Sequence, residues 1–404
     1  MKMLRFFLII LIAGNSISCN SQTSSGKGGW VGDAEEYRNT ISSRHKNPFT
    51  KISREQFIQK IDSLIAVAPQ LSKEKFIVEL FKINSQIEDE HTILFPDNEM
   101  ELPFKFELFD EGMTIVASDS ANQSFLLNRI VSINNIPWSR IDSLFRTLIK
   151  RDNPSYFKFF EAYYFNNVDL LKGLDIVTNS AGIPFQFISP SGDTMNVAIN
   201  AIRKVPNETW IYAKPYKNLL AYTKKNNYWY QYDEKSKALY FNYRHCSEDE
   251  NESFRSFNKK LFETIELVKP EKLILDFRFN GGGNSRILKP FIEKIQKTYL
   301  NDSGRFFILI GRKVISSALM NVIDLKKTTH AIFIGEATGG NINHFGELKS
   351  FELPNSKIKV TYSTKFWENW AGHDGSFHPD FETGNKLSDF INSYDKALET
   401  ALQK

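Results

Sequence analysis

Three stretches decide the fold of this chain: KLILDFRFNGGGNS at 272–285, RFFILIGRKVISSALMNVIDL at 305–325 and AIFIGEATGG at 331–340. Each opens on a short apolar run, at 273–277, 306–310 and 331–334, of strand length and strand composition. Each run ends in Gly, Asn or Ser, and helical periodicity lies between the runs. Strands alternating with helices in this way predict βαβ crossovers in a buried parallel sheet. Two of the strand ends carry residues suited to chemistry. After the first comes Asn280-Gly281-Gly282-Gly283, where no Cβ shields the backbone amides. After the second comes Ser316-Ser317, at the expected start of a helix. A serine beside exposed amides at the C-terminal ends of strands is what acyl transfer requires.

Outward from this core, the chain reads as several domains. Residues 31–95 predict a small helical domain. One helix is capped by Ser53 with Gln56 and carries Phe57, Ile61, Leu64 and Ile65 on one face. A second opens at Ser72 and carries Phe76, Leu80, Ile83 and Ile87, and ends in EDEHT at 88–92. Residues 96–208 predict a β-domain: alternating strands at 102–108, 113–117 and 129–133, a turn at 134–137, a helix capped by Ser139, an aromatic helical stretch at 156–171, and two strands around Pro190-Ser191-Gly192-Asp193. Residues 209–404 predict the α/β domain built on the opening stretches. It closes with a single helix capped by Ser388 that turns Phe390, Tyr394, Leu398 and Leu402 inward.

The N-terminus reads as a targeting segment. Lys2 and Arg5 precede an apolar run at 6–13 that is too short to span a bilayer. Small residues then lead to Ser16-Ile17-Ser18-Cys19, which resembles a bacterial lipobox with Cys19 as the lipidated residue. The alternative is an ordinary signal peptide, 1–18, followed by an incidental cysteine. Residues 19–30 are Ser/Gly-rich and read as a tether. Removing residues 1–18 takes away Lys2 and Arg5 and no acidic residue. That leaves 49 basic against 47 acidic side chains, a net +2 that gives no footing for a nucleic-acid partner. With Cys19 lipidated, only Cys246 would remain free, which excludes an intrachain disulfide and metal binding by cysteine.

At these motifs a family resemblance becomes specific. LILDFRFNGGG (273–283) resembles the LDLRxNxGG signature of the tail-specific, or C-terminal-processing, serine peptidases. VISSALM (314–320) stands where that family has its nucleophile, and IFIGEATGG (332–340) resembles its V-G-E-x-T-x-G motif. EDEHT, VSINNIP (131–137) and DGSFHPD (374–380) extend the resemblance in the family's order. It implies a crotonase/Clp-protease-like catalytic domain and a PDZ-like module at 96–208. That module reads either as a groove taking an extended peptide as an added strand or as a purely structural β-domain. The helical insertion at 156–171 departs from a simple PDZ pattern.

The resemblance assigns the nucleophile to Ser316, with Ser317 and a plain helix N-cap as the competing readings of this pair. The family often carries an acidic residue three positions on, where this chain has Leu319. The oxyanion hole is expected from the Ser317 amide and an amide of the glycine loop, Gly282 or Gly283. In the Ser-Lys branch of the family a lysine follows the second glycine of the GExTxG motif and a glutamine lies four residues later. This chain has Asn341 and Phe345 there, which places it nearer the tricorn-core and retinoid-binding-protein-like branch, where a histidine is the base. EDEHT points to His91, with His344 as the alternative. Asp374 is the first choice for the third member of a triad, with Glu336, Glu368 and Glu90 as alternatives. Asp276 and Arg278 read as a structural pair.

No G-x-S-x-G elbow and no close metal-ligand cluster occurs in the sequence. The expectation is therefore a periplasm-facing, lipid-anchored serine endopeptidase of the cell envelope, on the outer membrane, acting on peptide or protein substrates without a cofactor. The competing expectation is a non-catalytic peptide- or ligand-binding lipoprotein on the same fold.

Overall fold

The structure is a computed structural model describing residues 29–404. The targeting segment, Cys19 and nearly all of the tether lie outside the described residues. No helix among the described residues is long and apolar enough to cross a membrane.

The opening stretches form the centre of a six-stranded sheet. Its order is Tyr228–Asp233, Ala238–Tyr243, Lys272–Asp276, Phe306–Ile310, Ile332–Gly335 and Phe381–Glu382. The first pair is an antiparallel hairpin and the remaining neighbours are parallel. Strands that follow one another in space as they do in sequence, each joined by a crossover of one hand, place every connecting helix on the same face. The helices Phe254–Val268, Lys289–Ile295 and Ser317–Thr328 accordingly share one core with Leu273, Leu275, Phe306, Ile308 and Ile310. The alternate side chains Ile274, Phe307, Leu309 and Ile334 face the other way, against Ala397, Ala401, Leu398 and Leu402 of the helix Lys396–Gln403. Both faces are covered, which is why these strands are apolar throughout.

The β-domain is an antiparallel sheet. Ile211–Tyr212, Gly112–Ser118, Arg129–Ile133, Ile183–Ile188 and Thr194–Ile199 run in that order, and Phe104–Phe109 pairs with Gly112–Ser118. Ile211 and Tyr212 pair with Ser118 and Ala117, so the chain is still in this sheet beyond residue 209. The expected turn at 134–137 is present, with positive φ at Asn134 (51°) and Asn135 (62°). The aromatic stretch is two helices, Pro154–Tyr164 and Val168–Gly173, because the Asn167 side chain accepts from the Asp169 and Leu170 amides and starts a new helix.

The N-terminal region has three helices where periodicity predicts two: Gly29–Arg44, Arg54–Val67 and Lys73–Asn84. The capping box of Ser53 and Gln56 is formed as expected. The first helix includes Gly29 and Trp30, which composition assigns to the tether, and Trp30 stacks on Phe76 at 5.4 Å.

A long hairpin, His344–Glu352 with Lys359–Trp367, leaves the α/β domain and packs on these helices. Leu94 pairs with Val360, and the Lys46 amide donates to the Ser363 carbonyl. Buried Asp33 accepts from the Asn355 and Ser356 amides at the hairpin turn (2.9 and 2.6 Å). The expected single C-terminal helix is broken in two, Leu387–Ile391 and Lys396–Gln403. Ser393 adopts φ 55° between them, Asp395 caps the second, and Tyr394 is exposed.

Candidate active site

Ser316 follows the strand Phe306–Ile310 after a short turn in which the Val314 amide bonds to the Gly311 carbonyl. It stands at the N-cap of the helix Ser317–Thr328 with φ 57° and ψ −133°. For a residue with a Cβ this is a strained conformation, costing about 1–3 kcal/mol, and it persists only where the surroundings impose it. Two cores impose it here. Val314, Ala318 and Leu319 pack into the core of the six-stranded sheet, while Ile315 packs into the core of the N-terminal domains. Leu319, where the family often has an acid, is fully buried filler of the sheet core.

The Ser316 hydroxyl caps nothing, so the common structural reason for a serine at this position is absent. Ser317, by contrast, is committed: it is buried, and its hydroxyl donates to the Gly283 carbonyl at 2.7 Å.

The glycine loop lies directly against Ser316. Gly282 and Gly283 have φ of 104° and 133°. A Cβ on Gly282 would lie 2.9 Å from the Ser316 Cβ and 3.1 Å from the Ser317 amide nitrogen. One on Gly283 would lie 2.4 Å from the Cys246 carbonyl oxygen. Asn280, fully buried, fixes the loop: its side-chain amide donates to the Tyr243 carbonyl (3.0 Å) and its Oδ1 accepts the Gly282 amide (3.0 Å). No described residue accepts from the Gly283 or Ser317 amides. The Ser317 amide is one of the first-turn donors that a helix cannot satisfy internally. The strand end is anchored by Arg278, which donates to both Asp276 and Asp395 at 2.7 Å and is held charged by these two carboxylates against its burial.

His91 sits on the loop after the third helix, and its position depends on Asp89. Asp89 Oδ1 accepts the His91 amide (3.0 Å). Its Oδ2 accepts from His45 Nε2 (2.9 Å), Thr92 Oγ1 (2.6 Å) and Ser363 Oγ (2.7 Å). Burial costs this carboxylate, but its hydrogen bonds and the nearby imidazoles hold it ionised well below the usual range. The loop is thereby tied both to the first helix and to the long hairpin. The His91 ring is buried and lies 5.7 Å, centroid to centroid, from the ring of His344. Burial lowers the His91 pKa, against the opposing pull of Glu90 and Asp89, so the ring is neutral near pH 7 and able to accept a proton. His344 Nδ1 lies 2.8 Å from the Asn341 carbonyl oxygen.

The acidic candidates separate clearly. Glu336 is engaged by Arg312 through both carboxylate oxygens (3.2 and 2.5 Å). Asp374 is on an exposed loop, and its recorded side-chain neighbour is Asn343 Nδ2 at 3.4 Å. Glu368 is exposed, one residue past the long hairpin. Glu90 is buried beside His91: its Oε1 is 3.6 Å from His91 Nδ1, and its Oε2 accepts the Asn341 amide at 2.8 Å. Asn341, in the place of the other branch's lysine, is held by Asn153 (2.9 Å) and Asp152 (2.6 Å). The roles of Asp89 and Asn280 are not visible from spacing, although Asn280 belongs to the glycine-loop motif and Asp89 to EDEHT. No cluster of metal-ligating side chains occurs among the described residues. Cys246 is buried behind the glycine loop and its thiol is pushed up to about 12 by burial, which makes it inert.

Searches of protein families and of curated proteins find no match to this chain. Solved structures do match. Mature CPAF complexed with lactacystin superposes with a TM-score of 0.64 at 11% identity, over 93% of this chain and 97% of the other. Mature CPAF alone gives 0.63 at 12% identity, over 94% and 96%. The photosystem II D1 C-terminal processing protease gives 0.43 at 10% identity, over 94% and 97%. At these identities the likeness speaks to fold. The chain shares the fold of mature CPAF along nearly the whole of both chains.

Proposed function

We propose that this chain is an exported, lipid-anchored serine endopeptidase that cleaves peptide bonds through an acyl-enzyme. One observation carries the reading. Ser316 is held in a strained backbone conformation at a helix N-terminus, against a glycine loop, with its hydroxyl committed to no structural hydrogen bond. Strain of this kind concentrates at functional sites. It also resembles in kind the sharp strand-to-helix turn that exposes the nucleophile in α/β-hydrolases, although no G-x-S-x-G motif is present.

In this reading His91 takes the Ser316 hydroxyl proton as the oxygen attacks the substrate carbonyl carbon. The Gly283 and Ser317 amides receive the oxyanion, since the Gly282 amide is engaged by Asn280. The imidazolium then gives the proton to the leaving amine as the C–N bond breaks, and water hydrolyses the acyl-serine by the same steps. The consecutively ordered sheet supports a catalytic domain of the crotonase/Clp-protease kind. The antiparallel sheet at 96–212 supports a PDZ-like module.

A fluorophosphonate probe is expected to label the wild type at Ser316 and to leave Ser316→Ala unlabelled. Equal labelling of the two would overturn the assignment, and no labelling of the wild type would leave the binding-protein reading. Lipid anchoring at Cys19 predicts that the wild type fractionates with envelope membranes. Cys19→Ala should become soluble or stay unprocessed. A wild type already soluble in the periplasm removes the anchor and leaves the peptidase reading intact.

A further inference from the structure

We infer that Glu90, and not Asp374, is the carboxylate that orients His91 for proton transfer. The inference deepens the peptidase reading and rests on it. Two buried atoms are left without hydrogen-bond partners at this point, Glu90 Oε1 and His91 Nδ1, and they face one another at 3.6 Å. Both side chains are almost wholly buried, at 1% and 5% exposure. A sealed carboxylate oxygen and a sealed ring nitrogen, each unsatisfied alone, are mutually satisfied when Nδ1 carries the proton and donates it. Contacts of this type are commonly long in the free enzyme and tighten with substrate bound.

The rest of Glu90 is fixed. Its Oε2 accepts the Asn341 amide (2.8 Å), and its carbonyl accepts the Tyr156 hydroxyl (3.0 Å). It also lies close to the nucleophile turn. A Cβ built on Gly340 would stand 3.4 Å from Glu90 Oε1 and 3.0 Å from the Cα of Ile315, the residue before Ser316. Gly340 is thus the thin spacer between this carboxylate and the strained turn, and a side chain there would press on the Ile315 backbone while touching the carboxylate. Asp374, exposed and directed to Asn343, has no such relation to His91.

With Nδ1 protonated toward Glu90, Nε2 holds the lone pair that receives the Ser316 proton. Glu90 remains a carboxylate throughout, and the proton passes between Ser316 Oγ, His91 Nε2 and the leaving amine. Glu90 is therefore a positioning residue. The groups facing His91 are Glu90 and Asp89 from its own loop and, from the hairpin, His344 and the Phe345 backbone, whose hydrogen bond to the ring favours its protonated form. His45 stands behind Asp89, and Tyr156 behind Glu90.

The first measurement needs no variant and no turnover. Nitrogen NMR of the wild-type His91 ring above pH 8 is expected to show the proton on Nδ1; a proton on Nε2 overturns the inference. The second is kinetic. Glu90→Gln keeps an acceptor for the Asn341 amide, and it is expected to lower kcat by roughly 10²-fold or more with KM held. Loss of the carboxylate should also move the acid limb of the kcat/KM profile to lower pH, because the imidazolium loses its counter-charge. Glu90→Asp should recover part of the loss, and Asp374→Asn should retain wild-type kcat and pH profile. Retention of kcat within about twofold in Glu90→Gln, or a large loss in Asp374→Asn, overturns the inference. Failure of the probe to label wild-type Ser316 would sink the peptidase reading instead, and the tautomer measurement distinguishes the two failures.

Discussion

At the scale of the residue, Ser316 shows how much a motif reveals and where it stops. The resemblance of VISSALM to a nucleophile motif names the serine, but no local propensity announces a Cβ-bearing residue at φ 57°, ψ −133°. That conformation arises because Ile315 and Val314 are drawn into different cores, a tertiary demand that no short sequence window contains. The strain predicts an unusual pattern of stability. Ser316→Ala keeps a Cβ and therefore keeps the strain. Ser316→Gly releases it and gives back part of the gain as unfolded-state entropy. The glycine variant is expected to be more stable than the alanine variant by about 1 kcal/mol, against the usual order for this pair. Urea denaturation of both variants tests this, and equal midpoints would mean that the turn stores no strain. His91 was likewise legible as a residue from EDEHT. Its neighbourhood was not, because Glu90 and Asp89 meet their partners across more than 250 residues of sequence, at Asn341 and Ser363.

At the scale of the element, periodicity succeeds where an element buries an apolar stripe and fails where it buries something else. The strands at 273–277 and 306–310 and the helix opened by Ser53 and Gln56 were legible because their inward residues are apolar and their caps are conventional. The helix Gly29–Arg44 was not. Its buried positions are Asp33, Ala34, Tyr37, Thr40 and Ile41, which have helical spacing but present two polar side chains and an alanine. Asp33 is inward because it holds the hairpin turn at Asn355 and Ser356, so its reason lies in a distant element. The C-terminal helix failed in the opposite way. Phe390, Leu398 and Leu402 continue an apparent stripe through Tyr394, yet Ser393 and Asp395 end one helix and begin another. The strands of the long hairpin have partners that no local window announces. They pair with each other and with Leu94–Phe95 rather than joining the six-stranded sheet.

At the scale of the whole molecule, that hairpin couples the parts of the candidate site. It carries His344 and Ser363 from the α/β domain onto the helices that present His91, so the placement of His91 beside His344 depends on both cores staying folded together. The stability of this unit is expected to vary with pH through buried groups remote from the site. Glu161 is fully buried in the helix Pro154–Tyr164, with the carboxyl group of Asp142 as its neighbour. Burial, aided by the negative charge of Asp142, raises its pKa from 4.5 to about 9. Its folded value lies above its unfolded value, so it stabilises the fold fully below pH 4.5, and that stability is lost as pH rises toward 9. His91 and His245 act with the opposite sign. Burial depresses both, and their contribution is complete above the ordinary imidazole value of 6.5 and is lost below it, toward about 4 for His245. Between pH 6.5 and 8 the Glu161 effect therefore stands apart from these two imidazoles. The wild type is expected to lose about 2 kcal/mol of unfolding free energy across that interval, at roughly 1.4 kcal/mol per pH unit. Glu161→Gln, isosteric and without a titrating proton, is expected to be nearly flat over the same range. Urea midpoints at about pH 6.5, 7.25 and 8 for both proteins test the point. Parallel slopes would show that Glu161 is ionised in the folded state and that the pH response originates elsewhere.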